Sequence, residues 1–275
     1  MSQQDEVSEC NMGGARRLAG TERWDTMNSP KVLSLRGPTP MTTNPHRINF
    51  FRSTRIFAHL PEAALREVIA GFRPRVYARH EILFLQGDEA RNFYLMSAGR
   101  VRLYSISDQG REFTFFIVRA RQAFDLPSVF DGKPHPVSAS ALSDTRVYVA
   151  SLTHIQEMAD RYPPLYRALA RQLSAATRRI ADIASDLALT DVATRLARLL
   201  LVSSQSQGEP TPEGILLTLD LSHSEIATLL GTAREVVSRT FRHMEREGLV
   251  LRTRRGILIR DELKLADIAH MRKKL

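Results

Sequence analysis

Three kinds of hydrophobic patterning follow one another along this chain, and each predicts a different structure. Across residues 75–150, apolar and β-branched residues gather into short stretches at 75–77, 81–85, 93–96, 100–106, 112–118, 137–142 and 146–150. Turn-forming residues separate them at Gly87-Asp88, Ala98-Gly99, 108–110 and Asp131-Gly132. Many short strands at close spacing predict an antiparallel barrel or sandwich. A short helix is expected before them, marked after Pro61 by Ala63, Leu65, Val68 and Ile69. Past Pro163-Pro164 the period changes to alternating threes and fours, through Leu165, Leu169, Leu173, Ala176, Ile180, Ile183 and Leu187. That is the seam of a long helix, which either pairs with another helix or lies on its own barrel, with Arg167, Arg171, Arg178 and Arg179 off the seam.

The third pattern spans residues 222–250. Ser222 can cap a helix by accepting a bond from a free backbone N–H, and Glu225, three residues on, completes a capping box. Ile226, Leu229 and Leu230 supply an apolar face, Ala227 permits close approach, and Gly231 suits a left-handed turn. From about Ala233 a second helix turns Val236, Val237, Thr240, Phe241 and Met244 inward and leaves Arg234, Glu235, Ser238, Arg239 and Arg242 outside. This is a helix-turn-helix, whose second helix presents its first residues to base edges in the DNA major groove. Arginine bonds guanine bidentately, glutamate accepts from the cytosine amino group, and serine reaches a base or a phosphate. Arg234, Glu235, Ser238 and Arg239 are therefore the expected base readers, with Glu235 and Arg239 also spaced to pair at i, i+4. Segments 249–252 and 257–259, joined by a basic turn over 253–256, predict a hairpin wing. Ser222, Thr232, Arg242, Arg252, Arg254 and Arg255 are the candidate phosphate contacts. A helix over 191–202, a loop over 203–214 and a strand over 215–219 lead into this unit. Two helix-turn-helix copies gain affinity and palindromic specificity when held roughly 34 Å apart, so the long helix is expected to pair two chains into a homodimer.

At 275 residues the chain accommodates two domains with separate cores. Its formal net charge of +9 fits a polyanionic partner, and part of that charge sits in the motif. With Cys10 as the single cysteine, a disulfide framework, a cysteine-based zinc site and an iron–sulfur cluster are all excluded. No run reaches the roughly 18 apolar residues of a membrane helix, and the N-terminus lacks a signal-peptide core, so a cytoplasmic protein without a membrane partner is expected. Residues 1–45 mix Gly, Ser, Thr, Pro, Asn and charge without apolar periodicity and read as a disordered arm. Arg16, Arg17, Arg23 and Lys31 in that arm read as a solvated tail, and Met1, Met27 and Met41 all offer translation starts. No Ser/His/Asp or Cys/His arrangement and no phosphate-cradling Gly-Lys-Ser/Thr loop is present, so an enzyme is not expected.

Barrel, long helix and winged helix-turn-helix come in the order of one bacterial family. With Glu225-Ile226-Ala227, Leu230-Gly231 and Arg234-Glu235-Val236-Val237-Ser238-Arg239, the chain resembles, over about residues 50–260, the transcription factors of the cyclic-AMP receptor protein and fumarate–nitrate regulator (CRP/FNR) superfamily. The resemblance implies an α+β fold. It comprises an N-terminal antiparallel, jelly-roll-like β-barrel over 46–162, a dimerisation helix over 163–190 and a C-terminal winged helix-turn-helix over 191–275. It matches Arg234, Glu235 and Arg239 to the base-reading positions of the cyclic-AMP receptor type, and Glu235, Ser238 and Arg239 to those of the fumarate–nitrate type. A palindrome with a TGA-type half-site follows from that match. Asp191 and Arg195 fall at the family's hinge, and Gly87-Asp88 and Gly99 resemble its barrel turns.

The ligand pocket departs from the family pattern. Cyclic-nucleotide-binding members carry a Gly-Glu pair for the ribose and an Arg-Ser pair for the cyclic phosphate. Here the first aligns with Asp125-Leu126 and the second falls near Pro136-Val137, while Ile180 and Ala181 stand where the long helix offers hydroxyls to adenine. Proline cannot neutralise phosphate and Asp125 sets an acid beside an anion, so cyclic AMP is not the expected effector. An effector pocket of Phe124, Asp125, Leu126, Val137 and Ile180, with Val129 beside it, suits an apolar or acidic small molecule. His59, His80, His135 and His154 leave haem open, without any haem-binding spacing to accompany them. The expected function is a transcription factor whose effector biases two orientations of the reading domains, with RNA polymerase as a partner if it activates. Two alternatives stand beside it. One is a metal-dependent barrel enzyme with an accessory DNA-binding module, although no clustered His-x-His plus carboxylate set lies in the barrel stretches. The other is an architectural DNA-binding protein with no effector, whose affinity follows salt and not sequence.

Overall fold

The strand-rich stretch closes into two facing four-stranded sheets in the computed structural model, which describes residues 45–270. Helices α1 (Pro45–Arg52) and α2 (Glu62–Ala70) precede strands β1 (Arg73–Tyr77), β2 (Ile82–Phe84), β3 (Asn92–Ala98), β4 (Val101–Ile106), β5 (Glu112–Val118) and β6 (Ala123–Phe124). A short helix α3 (Leu126–Asp131) leads to β7 (Ser138–Ala141) and β8 (Thr145–Ser151), then to α4 (Leu152–Arg161) and the long α5 (Pro163–Leu189). The C-terminal part comprises α6 (Val192–Gln207), β9 (Gly208–Thr211), β10 (Gly214–Leu217), α7 (His223–Leu230), α8 (Arg234–Arg246), β11 (Val250–Thr253), β12 (Gly256–Ile259) and α9 (Glu262–Ile268). The arm expected over 1–45, with Cys10 and its basic residues, lies outside the described residues except for Pro45.

One barrel sheet runs β1-β8-β3-β6 and the other β2-β7-β4-β5, with every pairing antiparallel. Alternate residues of a strand face opposite sides, and β3 buries both of them. Tyr94 and Met96 point between the sheets, against Phe84, Leu103 and Phe124, while Phe93 and Leu95 point out into a helical layer. That layer is α1, α2, α4 and the first turns of α5, with Phe51, Phe57, Leu65, Phe72 and Ile155 at its centre, all 0% exposed. Burying one such side chain contributes about 1.5–3 kcal/mol, so the barrel and its helices stand or fall together.

Along α5, Leu165 and Leu169 are buried on the barrel, and then the apolar stripe emerges from it. Ile180 is 46% and Leu187 40% exposed. The corner into α6 is fixed by polar bonds. Asp191 caps α6 by accepting from the Thr194 N–H at 2.7 Å, and that bond holds the Asp191 carboxyl below its ordinary pKa. Arg195 donates to the Leu230 carbonyl at 3.0 Å and the Asp186 carbonyl at 3.3 Å, and Arg198 forms an ion pair with Asp186.

The loop expected over 203–214 is in fact the last turns of α6 followed by the β9–β10 hairpin. Its serines read as loop formers, but their hydroxyls bond back to helix carbonyls, Ser204 to Leu201 at 2.8 Å and Ser206 to Ser203 at 3.1 Å. The third sheet, ordered β11-β12-β10-β9, carries the wing at its edge.

Candidate DNA-reading face and barrel interior

Local chemistry places the reading helix. The capping box at the start of α7 is complete: the Ser222 hydroxyl accepts from the Glu225 N–H at 3.2 Å, and the Ser222 N–H donates to the Glu225 carboxylate at 2.6 Å. Gly231 ends the helix in the left-handed conformation, with φ 61°. A Cβ there would meet Leu187 Cδ2 at 2.7 Å and the Phe113 ring at 3.3 Å, so the turn favours glycine first for its left-handed backbone, with the neighbouring side chains obliged to shift for any larger residue. Helix α8 then buries Val237, Phe241 and Met244 against Ile226, Ala227 and Leu230. Val236 and Thr240, expected inside, are half-buried.

Arg234, Glu235, Arg239 and Arg242 stand exposed on the outer side of α8. Glu235 and Arg239 do not pair with each other: among the described residues neither makes an ion pair. Ser238 is half-buried, and its hydroxyl lies 2.9 Å from Nδ1 of His223, whose ring stacks on Phe241 with centroids 5.3 Å apart. His223 escaped the sequence analysis because its partner lies 15 residues away on the next helix.

The candidate phosphate contacts divide. Arg254 and Arg255 are exposed at the wing tip, with Arg255 3.5 Å from Glu209. Arg252 is placed differently. Its Nε and Nη2 donate to Glu245 at 2.9 and 2.7 Å, and its backbone N–H donates to the same carboxylate at 3.0 Å. It is a strut between wing and reading helix, and its guanidinium holds Glu245 below the usual carboxylate range. Ser222 is occupied by the cap, Thr232 is half-buried, and Arg242 lies 3.4 Å from the Ser238 carbonyl.

Inside the barrel, the pocket expected from sequence does not assemble as one. Phe124 and Asp125 face the space between the sheets and Val137 packs partly against it, but Leu126 and Val129 turn into the helical layer and Ile180 is exposed on α5. The reversal follows from α3, which begins at residue 126 and turns its apolar side toward α5 and α4. Asp125 precedes it in the left-handed conformation, φ 60°, where the resembling Gly-Glu pair has glycine.

The Asp125 carboxylate accepts from Ser128 Oγ at 3.3 Å and lies 2.7 Å from His135 Nδ1, with the two side chains of that pair 1% and 4% exposed. The His135 ring stacks on Phe84 at 3.8 Å, and its backbone bonds Gly87 and Asp88, both at 2.9 Å. Tyr94 stacks on Phe124 at 5.1 Å, and burial together with nearby Tyr77 pushes its phenol up to about 12. The other histidines are elsewhere: His59 and His80 are exposed, and His154 Nε2 lies 3.0 Å from the Val68 carbonyl. Among the described residues no group of three or more His, Cys, Asp or Glu is placed to hold a metal ion.

Barrel and reading head touch directly. Arg100, between β3 and β4, donates to the Asp220 carbonyl at 2.6 Å and pairs with its carboxylate, although 120 residues separate them. The hydroxyls of Thr114 on β5 and Thr228 on α7 are 2.9 Å apart, and Arg179 of α5 lies over the Phe116 ring at 5.2 Å.

Two family models match these parts, a cyclic nucleotide-binding domain over residues 74–162 and a Crp-like helix-turn-helix domain over residues 194–268. The transcriptional activator protein Anr of Pseudomonas protegens is 30% identical over 212 residues, 75% of this chain and 83% of Anr. The chain belongs to the CRP/FNR family of transcriptional regulators. Another CRP/FNR relative is the CRP-like cAMP-activated global transcriptional regulator of Mycobacterium tuberculosis, 28% identical over 212 residues, 77% of this chain and 94% of the relative. A CooA mutant from Carboxydothermus hydrogenoformans has a similar structure, with TM-score 0.65 at 27% identity over 74% of this chain and 89% of that one. FixK2 from Bradyrhizobium japonicum shares the fold, with TM-score 0.63 at 21% identity over 72% of this chain and 96% of that one. This CRP/FNR protein is thus a DNA-binding regulator with an effector-type barrel, and not an enzyme.

Proposed function

We propose that this CRP/FNR regulator acts as a homodimer that reads a palindrome with TGA-type half-sites, and that its barrel answers to something other than cyclic AMP. The outer side of α8 carries this reading: Arg234, Glu235 and Arg239 are exposed and make no ion pair among the described residues, on the helix that enters the major groove in this fold. Arg254 and Arg255 suit phosphate contacts from the wing, with Arg242 and Thr232 flanking the reading residues. Pairing of two chains rests on the stripe that α5 leaves uncovered, Ile180 and Leu187 above all, because an apolar seam of that length is stable in water only when covered.

The case against cyclic AMP rests on Asp125 and His135. A cyclic phosphate needs a cation and N–H donors, whereas the barrel presents a buried carboxylate already bound to an imidazole, and an exposed Pro136 beside it. The domains are read as a barrel over 46–162, a dimerisation helix over 163–190 and a reading domain over 191–275, in a cytoplasmic protein that contacts RNA polymerase if it activates. In vitro selection from random DNA with the purified protein tests the proposal. A symmetric pair of TGA-type half-sites is the expected result, and either an unsymmetric motif or no enrichment overturns it.

A signal leaving the barrel has two routes to α7, through the α5–α6 corner and through the Arg100–Asp220 and Thr114–Thr228 contacts. Arg100→Ala is expected to speed amide exchange across α7 about tenfold while leaving β3 and β8 unchanged, as read by hydrogen-exchange mass spectrometry. Unchanged exchange in α7 removes the Arg100 contact from the route.

A further inference from the structure

We propose that His223 is a positioning residue that sets the hydrogen-bond polarity Ser238 shows to DNA, so that the base preferred opposite Ser238 changes with pH. The inference rests on the reading role given above to α8.

Ser238 lies on α8 between Glu235 and Arg239, at the edge of the exposed cationic face. A serine hydroxyl can donate one hydrogen bond or accept through its lone pairs, and what it offers an outside partner depends on what it already does inside. Thr240, two residues on, turns its hydroxyl back onto the Val236 carbonyl at 2.9 Å, as helix serines and threonines commonly do. The Ser238 hydroxyl does not. Among the described residues its one partner is His223 Nδ1 at 2.9 Å, and the imidazole is held flat against Phe241, 11° from parallel, so the contact is geometrically fixed.

The imidazole nitrogen decides which way that bond runs. A neutral ring with a bare Nδ1 accepts the serine proton and leaves the oxygen lone pairs facing the groove, which suits the amino groups of adenine N6 or cytosine N4. A protonated ring donates from Nδ1 to the serine oxygen and frees the serine proton to point outward, which suits guanine O6 or N7 and thymine O4. The groups around His223 fix the resting state. Burial of the ring and the guanidinium groups of Arg252 on β11 and Arg234 on α8 all disfavour the charged form, against a smaller opposing pull from Glu245 on α8. The resting ring is therefore biased to the neutral form, and with its proton on Nε2 it leaves Nδ1 bare and Ser238 an acceptor. Bound DNA brings phosphates toward the same ring and favours its protonation, so the change of polarity moves up toward physiological pH in the complex.

The test uses the full-length protein and the operator it selects, varied at each base pair and titrated at about pH 8 and about pH 5.5. The wild type is expected to move its preference at one position per half-site by about three- to tenfold, away from adenine or cytosine facing Ser238 and toward guanine or thymine there. The pairs read by Arg234 and Arg239 stay fixed. His223→Phe keeps the ring stack on Phe241 and abolishes the pH response, flattening preference at that pair. His223→Asn restores a preference that no longer follows pH, which separates the hydrogen bond from a general loss of fold. Ser238→Ala matches His223→Phe, and the double variant adds nothing to either.

In the free protein, the nitrogen chemical shifts of the His223 ring must move on Ser238→Ala. A wild-type pH response that survives His223→Phe or Ser238→Ala, or ring shifts that ignore Ser238, overturns the proposal. A wild type that selects no operator overturns the reading role of α8 itself, which the first step reveals before any variant is made.

Discussion

His135→Phe is expected to destabilise the barrel by about 3–5 kcal/mol, a large effect for a substitution that keeps an aromatic ring in place. The ring stack on Phe84 survives it, so little cavity opens. What is lost is the partner of the Asp125 carboxylate, whose side chain is 1% exposed and which keeps only the Ser128 hydroxyl at 3.3 Å. An unpaired buried carboxylate is far costlier than a missing apolar contact. Adding Asp125→Asn in the same chain removes the charge while asparagine still tolerates the left-handed backbone of residue 125, and about half of the loss should return. Urea unfolding of the wild type, the single and the double variant reads this directly. If His135→Phe alone costs less than about 1 kcal/mol, water already reaches the pair and its standing as a closed, buried pair is wrong.

That pair shows where sequence reasoning stopped. Asp125 was legible as an acid in place of a glycine, but the imidazole that answers it sits ten residues on, across a helix and a turn, and no spacing rule connects the two. The same holds for Arg252 with Glu245 and for Arg100 with Asp220, pairs made by tertiary folding alone. Features decided within one or two turns of chain were legible. The capping box of Ser222 and Glu225, the left-handed Gly231 and the wing turn all depend on local backbone chemistry, and all are present.

The barrel strands were legible because alternation is local too, even where β3 buries both faces. Helices α1 and α4 were not. Each has only three or four buried residues on a short polar segment, too few for a period to stand out, and they are stabilised by the sheet beneath them and not by their own pattern. Leu126 and Val129 went wrong for a related reason: a six-residue helix set their direction, and its start at residue 126 depends on the backbone of Asp125.

The architecture that results separates what holds the reading head from what reads. Arg252 and Glu245 brace the wing against α8, the Arg195 and Arg198 bonds brace α6 against its neighbours, and the outward side chains of Arg234, Glu235 and Arg239 on α8 make no ion pair among the described residues. A substitution among the outward residues therefore changes binding without changing the fold, and one among the braces does both.

Arg239→Ala is accordingly expected to weaken binding to the selected operator by on the order of 1–3 kcal/mol and to relax preference at the one base pair it reads, with the melting temperature unchanged. Nothing inside the protein is lost with it, since Arg239 makes no ion pair among the described residues. Arg254→Ala at the wing is expected to weaken binding to operator and unrelated DNA by a similar factor, and to make the dependence of affinity on salt shallower by about one counterion. Arg252→Ala stands apart from both, because it releases Glu245 and so lowers the melting temperature together with affinity. Competition titrations of the three variants against operator and random duplex, at two salt concentrations, separate these outcomes. Equal losses for Arg239→Ala on operator and random DNA would remove Arg239 from base reading and leave it a phosphate contact, which shifts the burden of specificity onto Arg234, Glu235 and the His223–Ser238 pair.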